Sequence, residues 1–159
     1  LSGVRERVYP VGRLDLESEG LLLLTNDGEL AHLLTHPRYH VPRVYRVWVE
    51  GVPSDEVLQA FHRGIPLEDG VTAPAQAKLV DKTASSAVLE ITLYEGKKRQ
   101  VRRMCAALGH PVRRLVRIAI GPLTLGHLPP GRWRSLTPEE VSALYAAANL
   151  VKGETFVLE

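Results

Sequence analysis

One carboxylate stands out by its setting. Asp15 closes the run Gly12-Arg13-Leu14-Asp15, just ahead of Glu17-Ser18-Glu19 and the apolar stretch Gly20 to Thr25. That stretch reads as a buried strand, so the carboxylate would stand at the mouth of a sheet on backbone shaped by Gly12, a common place for a reactive group. An Asp in a loop is more often a turn former or an ion-pair partner, and alone it decides nothing. Arginines form the second candidate set. Val101, Met104, Cys105 and Leu108 predict an amphipathic helix from Lys98 to Leu108, with Gly109 and Pro111 as stop signals. Its other face carries Arg99, Arg103, Ala106 and Ala107, where small alanines would let a phosphate backbone come close. Arg102 lies at the border, near Cys105, and could turn inward to a buried carboxylate. A solvated face with surface ion pairs fits the same spacing.

Other chemistries find little support. His36 and His40 flank Pro37, so they would not share a helix face, and no cysteine or carboxylate cluster completes a metal site with them. No glycine-rich phosphate-binding pattern occurs, and the lone Cys105 falls on an apolar helix face, where packing is its expected use.

The charges are segregated along the chain. Between Gly96 and Pro138 stand ten basic residues, Arg113, Arg114 and Arg117 among them, and no Asp or Glu. A one-sided block interleaved with apolar residues is what a folded surface meeting a polyanion would look like. A basic face that is merely solvated is the alternative. The chain's 159 residues, 45% hydrophobic, suffice for one globular domain with a real core. A single cysteine excludes an intramolecular disulfide, and no run approaches the roughly 18 apolar residues a membrane span needs. A soluble, cytoplasmic protein is expected. The chain opens at Leu1 without methionine, so a natural N-terminal part is expected to precede it.

The elements that must position these residues can be read in outline. Asn26 with Glu29 forms a capping pair for a short helix through Leu30, Leu33 and Leu34, ended by Pro37. Val44 to Glu50 alternates, with Tyr45, Val47 and Val49 on one face of a predicted strand. Ser54 caps a helix carrying Val57, Leu58 and Phe61, closed by Gly64. Strands are predicted at Gln76 to Val80, Ala87 to Leu93 and, alternating again, Arg114 to Ile120. Thr137, Pro138 and Glu140 open a last helix through Val141, Leu144, Tyr145 and Ala148. Strands and short helices without regular βαβ alternation predict an α+β fold: a mixed, mostly antiparallel central sheet flanked by helices.

Taken together, several of these segments resemble the RsuA type of bacterial pseudouridine synthase. Tyr9-Pro10-Val11-Gly12-Arg13-Leu14-Asp15 and Ser18 through Gly28 look like the family's block around its catalytic aspartate. Pro42-Arg43-Val44-Tyr45-Arg46-Val47 is similar to its tyrosine motif, with Arg43 where lysine is frequent. Glu95 through Met104, then Leu115-Val116-Arg117 and Ile120-Gly121, resemble its third block. The resemblance runs in the family's order from about Tyr9 to Val141. It implies a pseudouridine-synthase-like fold over residues 1–159 and a cofactor-free isomerisation of one uridine in ribosomal RNA. Most branches of the family work on the large subunit, so that RNA is the expected partner, and a monomer is expected to act on it. Asp15 would be the nucleophile, Tyr45 would stack on the uracil and assist proton removal, and Arg102 would pair with the catalytic carboxylate. Leu115 would line the base pocket. Arg13 and Arg43 would contact substrate, and Arg99, Arg103, Arg113 and Arg114 would hold phosphates. The family's small N-terminal RNA-binding domain and its proline-containing strand have no counterpart here. A silent RNA-binding module with the same basic block is the rival reading, and it needs neither Asp15, Tyr45 nor Arg102.

Overall fold

The structure is a computed structural model that describes residues 6–36, 41–97 and 99–151, with side chains through 148. The expectations placed on Pro37, His40 and Lys98 lie outside the described residues. In chain order come β1 (Tyr9–Pro10), β2 (Glu19–Gly20), β3 (Leu24–Thr25), α1 (Gly28–Thr35), β4 (Arg43–Glu50) and α2 (Asp55–Arg63). They are followed by β5 (Pro66–Leu67), β6 (Gly70–Val71), β7 (Gln76–Lys82), β8 (Ser86–Leu93), α3 (Gln100–Ala107), β9 (Val112–Ile120), β10 (Leu123–Thr124) and α4 (Pro138–Val151).

The main sheet has the order β10-β9-β4-β8-β7, antiparallel throughout, with β2 added in parallel along β9. The predicted α+β class, with a mostly antiparallel sheet, is what forms. Alternation in β4 buries Val47 and Val49 completely and leaves Arg46 and Trp48 on the opposite face. Val47 pairs with Leu89 on one side and Leu115 on the other, and this row packs against Phe61 of α2 and Val101 and Met104 of α3. A second core joins Leu30 and Leu34 of α1 to Leu144 and Ala148 of α4, with Val11, Leu21, Ile120 and Leu123. Two cores on one sheet mean two lobes.

Two helix starts follow their predicted caps. The Ser54 hydroxyl accepts from the Val57 amide, and Thr137 and Glu140 exchange side-chain to backbone bonds as a capping box. Elsewhere the outline needs correction. The cap of α1 is Asp27, not Asn26: its carboxylate accepts from the Glu29 and Leu30 amides. The helix therefore opens one residue later than expected. Gly20 to Thr25 is not one strand. Its ends pair with different partners, Gly20 with Arg117 and Leu24 with Pro10, and the chain between them sends Leu21 and Leu23 into the second core. β9 does not alternate either, because Ile118 bulges out of the ladder between Arg117 and Ala119 and two cores cover its length.

Asp27 also ties the two helices of the second core, since the Tyr145 hydroxyl on α4 donates to its carboxylate. That bond holds Asp27 below the usual carboxylate value and raises Tyr145 from the ordinary 10.0 to about 12. The Tyr145 contribution is thus complete below the unfolded value and fades as pH rises from 10.0 through about 12. Tyr145→Phe is expected to lower the melting temperature at pH 7, with the gap to wild type closing over that alkaline range. Paired thermal melts across pH would show it, and a gap that stays constant would remove the bond from the account.

Candidate active site

The loop from Gly12 to Ser18 is anchored at both ends. On the near side the Val11 amide donates to the Leu23 carbonyl, and on the far side β2 lies along β9, with the Leu21 amide on the Arg117 carbonyl. Within the loop the Ser18 amide closes a turn onto the Asp15 carbonyl at 2.9 Å. Half-buried Asp15 thereby lines a cleft of about 640 Å³ where the two cores meet: Val11, Leu34 and Val41 wall one side, Leu93, Val101 and Leu115 the other. That is room for a nucleotide-sized ligand.

The sheet supplies the floor. Arg43 and Tyr45 stand two apart on β4, and Leu115 and Arg117 two apart on β9, so each pair shares a face. The register sets Tyr45 opposite Arg117 and Val47 opposite Leu115. All four line the cleft with Asp15. Leu115 is 4% exposed and offers an apolar wall beside the tyrosine ring. Arg13 and Arg99, both exposed, stand at the margin.

The rim before α3 is built by its own polar network. Glu95 accepts from the Ala73 amide at 2.6 Å and from the Gln100 side chain at 2.8 Å, while Gln100, only 3% exposed, accepts from the Lys97 amide. This loop carries Arg99 in the left-handed region, φ 54°, as the residue that opens α3. The helix thus begins two residues later than its apolar spacing predicts.

Arg102 is placed differently from its expected pairing. Its Nη2 donates to the Glu17 carbonyl at 2.9 Å, and Nη1 lies 3.7 Å from the Glu17 carboxylate, which Arg99 also approaches. Its Nε, buried, has no partner among the described residues. It therefore grips the loop two residues past Asp15 and does not line the cleft as Tyr45 and Leu115 do. Three other arginines of the basic block stand outside the cleft, each on an acid from the first half of the chain: Arg103 on Asp69, Arg113 on Glu50, Arg114 on Glu19. Segregation along the sequence is undone in space. Arg114 also covers the Trp48 ring, 4.7 Å from its centroid. Cys105 is buried, and burial pushes its thiol up to about 12, so it packs and does not react.

Arg117 lines the cleft although its sequence motif points to no role there. It is 4% exposed in the middle of an apolar strand, and parity with Leu115 was the available signal. Lys97, Glu95 and Gln100 also line the cleft, and only the loop geometry brings them there.

This arrangement, a loop carboxylate over a sheet-borne tyrosine and leucine, sits on the fold of the pseudouridylate synthases. A crystal structure of a pseudouridylate synthase superposes with a TM-score of 0.81 at 36% identity, covering 86% of this chain and 59% of that one. The sequence model of the RNA pseudouridylate synthase family matches residues 2–107. An uncharacterized RNA pseudouridine synthase of Aquifex aeolicus (strain VF5) is 49% identical over 150 residues, 94% of this chain and 60% of its own length. The ribosomal large subunit pseudouridine synthase B of Bacillus subtilis (strain 168) is 48% identical over 148 residues, 92% of this chain and 61% of its own. The chain belongs to the RNA pseudouridylate synthase family, and it spans about 60% of the length of these relatives.

Proposed function

We propose that this chain is the catalytic domain of a cofactor-free enzyme, a cytoplasmic monomer, that isomerises one uridine of large-subunit ribosomal RNA to pseudouridine. The observation that carries this reading is the convergence of Asp15, Tyr45 and Leu115 on one cleft. The Asp15 carboxylate bonds to ribose C1′ as the N1–C1′ bond breaks, the uracil turns, and C5 displaces the carboxylate from C1′; Tyr45 then assists removal of the C5 proton while N1 takes one up. Asp15 acts as the nucleophile, which requires an ionised carboxylate, and a guanidinium nearby favours that form. Arg102, already on the neighbouring main chain, supplies the cation once RNA fills the cleft. Removing the target base from its stack costs roughly a few kcal/mol, which the Tyr45 ring and the Leu115 wall offset in part. Arg99, Arg103, Arg113 and Arg114 bind phosphates by exchanging their present carboxylate partners for the RNA backbone.

The function is tested by mapping pseudouridines in ribosomal RNA from cells lacking the gene and from cells complemented with it. One site lost and restored supports the reading; an unchanged map ends it. The division of labour among the arginines has its own test. Arg102→Ala is expected to slow single-turnover chemistry at saturating RNA while the slope of log affinity against log salt changes by less than one contact. Neutralising Arg99, Arg103, Arg113 and Arg114 is expected to flatten that slope by about 0.7 to 0.9 per lost contact with chemistry largely intact. An Arg102 variant that flattened the slope and left chemistry alone would make it one more phosphate clamp.

A further inference from the structure

Arg43 and Arg117 occupy a setting that a folded chain does not supply to two cations without reason. Both line the cleft, and neither makes an ion pair with any described carboxylate. Each is held by main-chain carbonyls: Arg43 donates to Leu34 at 2.6 Å and Val41 at 3.3 Å, and the Arg117 Nε donates to Leu21 at 2.9 Å. Those bonds fix the two guanidinium groups without neutralising them. The Arg117 Nη2 is buried and has no partner among the described residues. Burial lowers the pKa of Arg43, Tyr45 opposes that shift, and the adjacent Arg117 charge adds to it. Two like charges, Arg117 buried and Arg43 partly so, with one unpartnered donor on Arg117, leave an uncompensated positive floor.

We propose that the Arg43–Arg117 pair is a preformed anion subsite that takes the phosphate of the nucleotide being isomerised. Guanidinium groups suit that ligand because their planar donor forks match phosphate oxygens, and RNA brings a phosphate with every nucleotide that enters. Placement on the sheet adds to the case. Tyr45 lies beside Arg43 on β4 and opposite Arg117 on β9, so a phosphate held there would fix the sugar while the base meets Tyr45 and Leu115. Asp15, from the loop above, would then face the ribose. The pair differs from Arg99, Arg103, Arg113 and Arg114, which carry acids of their own. It rests on the proposed uridine isomerisation for the identity of the ligand, not for the presence of an anion site.

The test is calorimetric titration of the chain with uridine 5′-monophosphate, uridine 3′-monophosphate, uridine and uracil at one ionic strength. Wild type is compared with Arg117→Lys and Arg117→Gln, with thermal melts in phosphate against chloride alongside. One of the monophosphates is expected to bind about tenfold or more tighter than uridine, a preference kept in part by Arg117→Lys and lost in Arg117→Gln. Inorganic phosphate is expected to raise the wild-type melting temperature above matched chloride. Should Arg117→Gln fail to fold, the wild-type comparison and Arg43→Gln decide in its place. Equal binding of uridine and both monophosphates overturns the proposal, as does a preference that survives Arg117→Gln. Uracil binding as tightly as the monophosphates would also overturn it, since the cations would then serve the base. Pseudouridine formation in ribosomal RNA, measured separately on wild type, tells the two ideas apart: a phosphate preference without isomerisation would leave the subsite standing and remove the catalytic reading.

Discussion

Asp15→Asn is expected to abolish pseudouridine formation while RNA binding stays within a few fold of wild type. The amide is nearly isosteric with the carboxylate but carries no negative charge, and a neutral amide is a poor nucleophile at carbon. The fold should not register the change. What Asp15 gives to the loop is its carbonyl, which accepts from the Ser18 amide, and an asparagine keeps that bond. Among the described residues no salt bridge engages its side chain. Melting temperature should therefore match wild type, and the loss should lie in the chemical step, in kcat and kcat/KM together. Single-turnover assays on ribosomal RNA, with binding measured on the same samples, would check this. Turnover near wild type would end the proposed mechanism, and a large loss of affinity would move Asp15 from chemistry to RNA positioning.

Among the glycines, Gly20→Ala should have the largest effect on stability, since its added carbon meets the nearest backbone atom. Gly20 has φ +114°, and a Cβ there would sit 2.3 Å from the Arg117 carbonyl oxygen and 2.6 Å from its nitrogen. Neither atom can swing aside, because both are backbone of the strand that pairs with β4. Strain and overlap together should cost about 3 kcal/mol or more, unless β2 leaves β9. If it leaves, the Arg117 Nε loses the Leu21 carbonyl and the Asp15 loop loses its far anchor. Activity should then fall along with stability. Gly70→Ala is the control: its φ is +124°, yet nothing lies within 4 Å of the added carbon. Urea denaturation of both variants separates the conformational cost from the collision. Equal losses would mean that the close approach of β2 to β9 contributes nothing.

How far the sequence could be read depended on the range of each interaction. The caps at Ser54 and Thr137 were legible because the hydroxyl and the amides it serves lie within three residues. The faces of β4 and α3 were legible because burial of Val47, Val49, Val101 and Met104 follows a period that the chain itself carries. The cap at Asp27 was misplaced by one residue, since Asn26 and Asp27 are both competent and only the packing of Leu30 and Leu34 chooses between them.

The candidate chemistry divides the same way. Asp15, Tyr45 and Leu115 could be named from their motifs, and their types and order belong to the chain alone. Which of them meet was decided by pairing across the sheet: β9 sets Arg117 opposite Tyr45 and Gly20 beside Arg117, contacts between residues more than seventy positions apart. The basic block shows the opposite outcome. Its acid-free sequence was legible at once, yet Glu17, Glu19, Glu50 and Asp69 come to it from the first half of the chain, because charge pairing follows distance in space and not along the backbone. Of the cations lining the cleft floor, Arg43 and Arg117 are left without an acid among the described residues. Local rules determined the elements and the reactive residue types; only the long-range register, which carries no periodic signature of its own, decided which cations were neutralised and which were left facing the cleft.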